Sequence, residues 1–138
     1  MLISYKPDYQ KLAMGLLSLI PDLKETKHLT TEMEWYLKEE NRHLFIWKSE
    51  ETGDMVGVIG VEEEQGLILL RHIALNPSYR HEGISYKMLD GLTKQIPDKK
   101  IMGTLETSGI VARWRQRQNE TVDQSPVDNQ PPENLLEE

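Results

Sequence analysis

Apolar residues recur along this chain in two different periods, and the switches between them divide it into helices and strands. Residues 1–5 (MLISY) form a short apolar run suited to a strand. Pro7 then fits the first turn of a helix, where a missing N–H is no loss. Leu12, Leu16, Leu17 and Ile20 follow at helical spacing, so residues 7–20 read as an amphipathic helix that Pro21 ends. A second helix is expected from about Thr31, where Thr31 and Glu34 have the form of a capping box, with Met33, Tyr36 and Leu37 as its apolar face and Asn41 at its close.

The period then shortens. Residues 43–48 (HLFIWK) and 55–61 (MVGVIGV) are rich in strand formers, and Thr52-Gly53-Asp54 turns the chain between them. Glu62 to Gly66 reads as a second turn and Leu67 to Asn76 as a third strand, giving an antiparallel meander. Gly57 and Gly60 inside a strand imply close approach by another element. Beyond Pro77 and a turn at residues 78–83, Ile84, Met88, Leu89 and Leu92 mark one face of a helix that Pro97-Asp98 breaks. Residues 100–106 read as a strand parallel to the one before that helix, because the helix makes a crossover. Ser108 caps a last helix through Gln118, with Ile110, Val111 and Trp114 apolar. The order β-α-α-β-β-β-α-β-α predicts an α/β (α+β) domain over residues 1–118, followed by a tail over residues 119–138.

Charge sharpens that boundary. The chain has 138 residues, 23 acids, 16 Lys and Arg, and a formal charge of −7. Residues 119–138 hold six acids, no base and three of the prolines, which leaves the body nearly neutral. So few apolar side chains cannot offset the entropy of ordering, and the tail is expected to be disordered. Leu135-Leu136 would anchor it if it served as an autoinhibitory or partner-binding segment rather than a solvated one. A body without basic excess argues against nucleic-acid binding. No run approaches the roughly 18 apolar residues a membrane span needs, and MLISYKPDYQ lacks a signal-peptide core. A cytoplasmic location is the expectation. The chain has no cysteine, which removes thiolate nucleophiles and thiolate metal sites. His28, His43 and His81 show no metal-ligand spacing, so no metal is expected.

The chemistry concentrates at the strand–turn–helix from Leu67 to Gln95. The first N–H groups of a helix lack internal partners, and their dipoles put about half a positive charge there. An anion docked on the turn would meet both needs. Gly83 admits positive φ and close approach of a phosphate, and Arg80 adds a charged donor. Residues 80–117 hold eight Lys and Arg against four acids, which suits a polyanionic ligand but suits solvated helix faces as well. On physics alone this is a phosphate-binding helix start, or an ordinary loop with a glycine.

The stretch RHIALNPSYRHEGIS (71–85) resembles motif A of the GNAT acetyltransferase superfamily: a strand ending in I-x-V-x-P, a short turn, then [RQ]-x-x-G-x-[GA]. KLAMGLLSLIP (11–21), HLFIWK (43–48), VGVIGVE (56–62) and RHIALNPSYRHEGI (71–84) further resemble the RibT group of small GNAT-like proteins encoded with riboflavin-biosynthesis enzymes. The resemblance implies a GNAT-like mixed sheet, acetyl-CoA as cosubstrate and transfer of acetyl to a small-molecule or protein amine. It implies that Ile73, Ala74 and Leu75 offer backbone groups to the acetyl carbonyl and pantetheine, in a gap where two strands diverge. Arg80, His81, Glu82, Gly83, Ile84 and Ser85 would surround the pyrophosphate.

Three departures bear on activity. Ser85 stands at the last motif position in place of Gly or Ala. Many members carry a thiolate-protonating Tyr on the last helix, whereas here Trp114 or Arg115 falls near that place. Trp cannot supply the proton, and Arg stays charged. The usual last two strands are missing, which would expose a sheet edge and favour a homodimer. His72 is the candidate general base, on the face opposite Ile73, or else a packed histidine. Glu62, Glu63 and Glu64 read as a solvated charge run, and Trp35, Trp47 and Trp114 as core. The alternative to an N-acetyltransferase is a catalytically weak or inactive acyl-CoA-binding regulatory or scaffold module linked to riboflavin metabolism.

Overall fold

In the computed structural model, residues 1–80 and 83–123 are described, with side chains as far as Glu120. Strand β1 (Leu2–Ser4) leads through a short 3-10 turn (Pro7–Tyr9) into helix α1 (Gln10–Leu17). A second 3-10 turn (Pro21–Leu23) precedes α2 (Thr26–Lys38). Strands β2 (Arg42–Lys48), β3 (Met55–Glu64) and β4 (Leu67–Leu75) form the meander. A 3-10 turn (Pro77–Tyr79), α3 (Ile84–Gln95), β5 (Lys100–Gly103) and α4 (Ser108–Asp123) complete the order expected from sequence.

The sheet runs β1-β2-β3-β4-β5, antiparallel except for the parallel β4–β5 pair that α3 connects. Helices cover both faces. On one side Ile59, Val61, Ile68, Leu70 and Leu75 pack with Met88, Leu89 and Leu92 of α3 and Trp114 of α4. On the other, Leu44, Ile46, Val58 and Ala74 pack with Ala13 and Leu17 of α1 and Met33 and Tyr36 of α2.

Four expectations are corrected. Helix α2 begins at Thr26, and Thr31 is no cap: it sits within the helix and its hydroxyl donates to the Lys27 carbonyl at 3.0 Å. The reason is Leu29, which extends the buried stripe Leu29, Met33, Tyr36 one turn upstream, whereas Leu37 points outward. Glu62–Glu64 belong to β3, and the turn is confined to Gln65-Gly66, with Gly66 at φ 72. These glutamates are not a solvated run, because Glu62 and Glu63 find cations on neighbouring strands and loops. Strand β5 is shorter than expected, ending at Gly103. Helix α4 continues to Asp123, across the boundary expected at residue 118. Of the tail expected to be disordered, residues 119–138, residues 124–138 lie outside the described residues.

One irregularity positions the site. The β3–β4 register steps from Gly60↔His72 to Val61↔Leu70, so Arg71 is a bulged residue. Ile68 and Leu70 face the α3–α4 core before the bulge, and Ile73 and Leu75 face it afterwards. His72 and Ala74 are thereby turned toward α2.

Candidate functional site

The parallel pairing of β4 with β5 ends at Leu70↔Gly103, although β4 runs five residues further, from Arg71 to Leu75. Thr107 holds this fork open. Its hydroxyl donates to the Leu70 carbonyl at 2.7 Å and accepts from the Thr104 N–H at 2.8 Å, which pins the β5–α4 loop beside the last paired residue. The β4 edge beyond it therefore has main-chain groups that an extended ligand arm could pair with. A cleft of about 1000 Å³ follows this edge, lined by Arg71 to Leu75, Thr104, Thr107 and Ile110, and reaching Arg80 and Ser85 at one end.

At that end Gly83 is the N-cap of α3 with φ 72, a left-handed conformation that favours glycine. An added Cβ would meet nothing within 4 Å, so the space over the turn is open. The first N–H groups of α3, which have no partner within the helix, and the exposed Arg80 make this end suited to an anion. The Ile84 side chain is buried in the α3–α4 core. His81 and Glu82, also expected here, lie outside the described residues.

The other end of the cleft is built from side chains. His72 Nδ1 and the Tyr36 hydroxyl are 2.5 Å apart. Burial first, then the charges of Arg71 and Arg42, push the His72 imidazole down to about 4, so it is neutral at pH 7. Burial raises the Tyr36 phenol well above its usual range, so it keeps its proton. Around this pair runs an ionic chain. Arg42 contacts Glu32 at 3.5 Å and Glu62 at 3.2 Å, and Arg71 contacts Glu62 at 3.3 Å. The Arg42 guanidinium lies 4.8 Å over the Trp35 ring. Close packing supports this wall, since a Cβ at Gly60 would collide with the Tyr36 ring. That is the close approach the strand glycine implies, and a Cβ at Gly57 would likewise meet Met88 at 2.9 Å.

The structure thus brings His72, Ile73, Ala74, Leu75, Arg80 and Ser85 to one cleft, with Gly83 at the turn between the last two. Glu32, Arg71 and Trp35 line the same cleft, with Tyr36 hydrogen-bonded to His72 and Arg42 ion-paired with Glu32, and the local sequence marks none of the five as site residues. Trp35 is no core residue: it is 43 % exposed and lines the cleft. Trp47 and Trp114 are buried as expected. Trp114 donates to Asp90 at 2.9 Å, and Arg115 donates to the Ile101 carbonyl, so neither is among the residues lining the cleft. Among the described residues no helix is long and apolar enough to cross a membrane.

Residues 7–110 match the Acetyltransferase (GNAT) family. A Bacillus methanolicus protein named "Uncharacterized N-acetyltransferase in lysA 3'region" is 41 % identical over 114 residues, covering 82 % of this chain and 93 % of its own. A putative GNAT-family acetyltransferase from Bacteroides thetaiotaomicron superposes with a TM-score of 0.64 at 19 % identity, over 86 % of this chain and 70 % of that one. An aminoglycoside 6'-N-acetyltransferase complexed with coenzyme A superposes with a TM-score of 0.60 at 16 % identity, over 75 % of this chain and 60 % of that one. The structural likenesses speak for the fold and the sequence matches for the family, so this chain belongs to the GNAT acetyltransferases, which take acetyl-CoA as acetyl donor.

Proposed function

We propose that this protein transfers acetyl from acetyl-CoA to an amine acceptor by direct attack, with His72 as general base. The observation that carries the reading is the β4 edge Arg71–Leu75, unpaired with β5 among the described residues and running along one cleft to the left-handed Gly83 at the start of α3. In this reading the backbone of Ile73, Ala74 and Leu75 holds the thioester and pantetheine arm. The turn formed by Arg80, His81, Glu82, Gly83, Ile84 and Ser85 holds the pyrophosphate, through main-chain N–H groups, the Arg80 guanidinium and the Ser85 hydroxyl. Backbone donors beside the carbonyl oxygen stabilise the charge that develops on it.

The amine nitrogen forms a C–N bond with the acetyl carbon as the C–S bond breaks. His72 takes the proton the ammonium must lose. In the tautomer whose Nδ1–H donates to the Tyr36 oxygen, Nε2 keeps its lone pair beside Glu32. Tyr36 then acts as a positioning residue. With the side chains of Trp114 and Arg115 engaged elsewhere, the departing thiolate is protonated by solvent in this reading. Small-molecule amines are the acceptor class that the aminoglycoside enzyme's name supports. The resemblance to the RibT group supports a cytoplasmic role in riboflavin metabolism, and the outer strand β5 supports pairing of two copies.

Calorimetric titration with acetyl-CoA, followed by measurement of free thiol with a panel of amines, tests the reading. Saturable binding and amine-dependent thiol release are expected. Binding without release would leave a CoA-binding regulatory module instead, and absence of binding would overturn the site.

A further inference from the structure

Glu32 is an ion-paired carboxylate with one oxygen, Oε1, that receives no hydrogen bond among the described residues. It stands on α2 in the cleft wall with its side chain 17 % exposed. Its Oε1 is buried and has no hydrogen-bond donor among the described residues. Arg42 Nη1 forms an ion pair with it at 3.5 Å without making a hydrogen bond and has no other hydrogen-bond partner among the described residues, while Arg42 Nη2 contacts Glu62 at 3.2 Å and the guanidinium stacks over Trp35. His72 Nε2 is 3.8 Å from the same oxygen. A carboxylate so withdrawn from water is costly to keep unless a donor reaches it.

The surroundings say what kind of donor fits. A nitrogen placed about 2.9 Å from each of two acceptors can bridge a gap of this size, so one ammonium could contact Glu32 Oε1 and His72 Nε2 together. Asp22 and Glu106 add negative charge to the cleft lining, while Arg71 contacts Glu62 through Nη1 at 3.3 Å, with its Nε left without a hydrogen bond among the described residues, and Arg80 lies at the Gly83 end. Beside these acids, Trp35 is 43 % exposed and Leu19 36 % exposed, and both line the cleft.

We propose that Glu32 docks the ammonium of the acceptor, and that the acceptor is a cationic primary amine on an apolar or aromatic stem that lies against Trp35 and Leu19. The inference rests on the acetyl-transfer reading and on His72 as base. Glu32 holds the substrate nitrogen. One N–H proton passes to His72 Nε2, the freed lone pair then attacks the acetyl carbon, and the nitrogen gives up its second proton to solvent as the C–S bond breaks. Neutral and anionic molecules of the same shape should be excluded, because they leave Glu32 Oε1 without a charge-assisted hydrogen bond or oppose its charge.

The test uses three probes of equal shape on the full chain, with and without coenzyme A: 2-phenylethylamine, 2-phenylethanol and 3-phenylpropionate. Calorimetry should show the amine binding at least about 10-fold tighter than the alcohol, and the acid not binding, the range expected of a charge-assisted hydrogen bond. Glu32→Gln should weaken the amine roughly 10- to 100-fold while leaving the alcohol and coenzyme A unchanged, and Glu32→Asp should recover part of the loss. Trp35→Ala should weaken amine and alcohol alike. A folded Glu32→Gln protein with unchanged amine affinity would overturn the proposal, as would wild-type protein that binds the alcohol or acid as well as the amine, or binds none of them. If Glu32→Gln does not fold, the Glu32→Asp protein and the wild-type ranking of probes decide. Amine binding that depends on Glu32 without thiol release would sink the acetyl-transfer reading and keep the ammonium site. Thiol release indifferent to Glu32 would do the reverse.

Discussion

The two ends of the cleft are made by different means. The Gly83 end is main chain: a strand edge without a partner among the described residues, a left-handed glycine and the start of a helix. The His72 end is side chain: Tyr36, Glu32, Arg42, Glu62 and Arg71 brought together from α2, β2, β3 and β4. A main-chain site depends on a few consecutive residues and tolerates much sequence change around it. A side-chain site depends on registers between distant segments, and a single substitution reaches several partners at once. Within one family the first kind of site can persist while the second is rebuilt for a new substrate.

The sharpest break between the two ends is expected at the turn. Gly83→Asp should weaken acetyl-CoA by about two orders of magnitude by placing a like charge at the phosphate site, about 3 kcal/mol. Gly83→Asn, which also tolerates positive φ, should retain most of the affinity in the same titration. Loss of equal size in both would mean that the left-handed backbone, not charge, is what the substitution disturbs.

The other end should respond to pH. His72 is held at about 4 against an ordinary 6.5, so the unfolded chain binds more protons between those values and stability rises with pH across that window. Chemical denaturation should show about 2–3 kcal/mol lost as pH falls from 7 to 4. A His72→Gln protein should lack that share of the slope. Gly60→Ala comes next. The new methyl must displace the Tyr36 ring, for about 2 kcal/mol of destabilisation by overpacking, with acetyl-CoA affinity unchanged. Tyr36→Phe is the mildest. It removes one hydrogen bond, about 1 kcal/mol of stability, and should lower turnover more than it alters the KM for acetyl-CoA, because the His72 tautomer is no longer held.

The same contrast explains what the sequence could and could not convey. The element order, the parallel crossover and the Gly83 turn are visible because each is written in consecutive residues. In the sequence Tyr36 is only part of an apolar helix face, since its partner His72 lies 36 positions away and the pairing needs α2 laid over the sheet. Gly60 was the one local hint, a strand glycine implying that something approaches, without saying that the something is a phenol. Glu62 and Glu63 looked like a solvated turn because composition cannot see Arg42, Arg71, His43 and Lys99 arriving from other segments. The false cap at Thr31 shows the limit of a short motif, since the same residues serve equally inside a helix when an apolar residue one turn earlier extends the buried stripe.

The Thr107 latch on the Leu70 carbonyl carries a kinetic consequence. Because the fork between β4 and β5 is fixed by the protein's own hydroxyl, the slot exists before any ligand arrives, and entry requires no strand to peel away. Stopped-flow association of acetyl-CoA should then be a single phase whose observed rate climbs linearly with concentration, without the plateau that a prior opening step imposes. Thr107→Val, which keeps the shape but cuts the latch, should introduce that plateau.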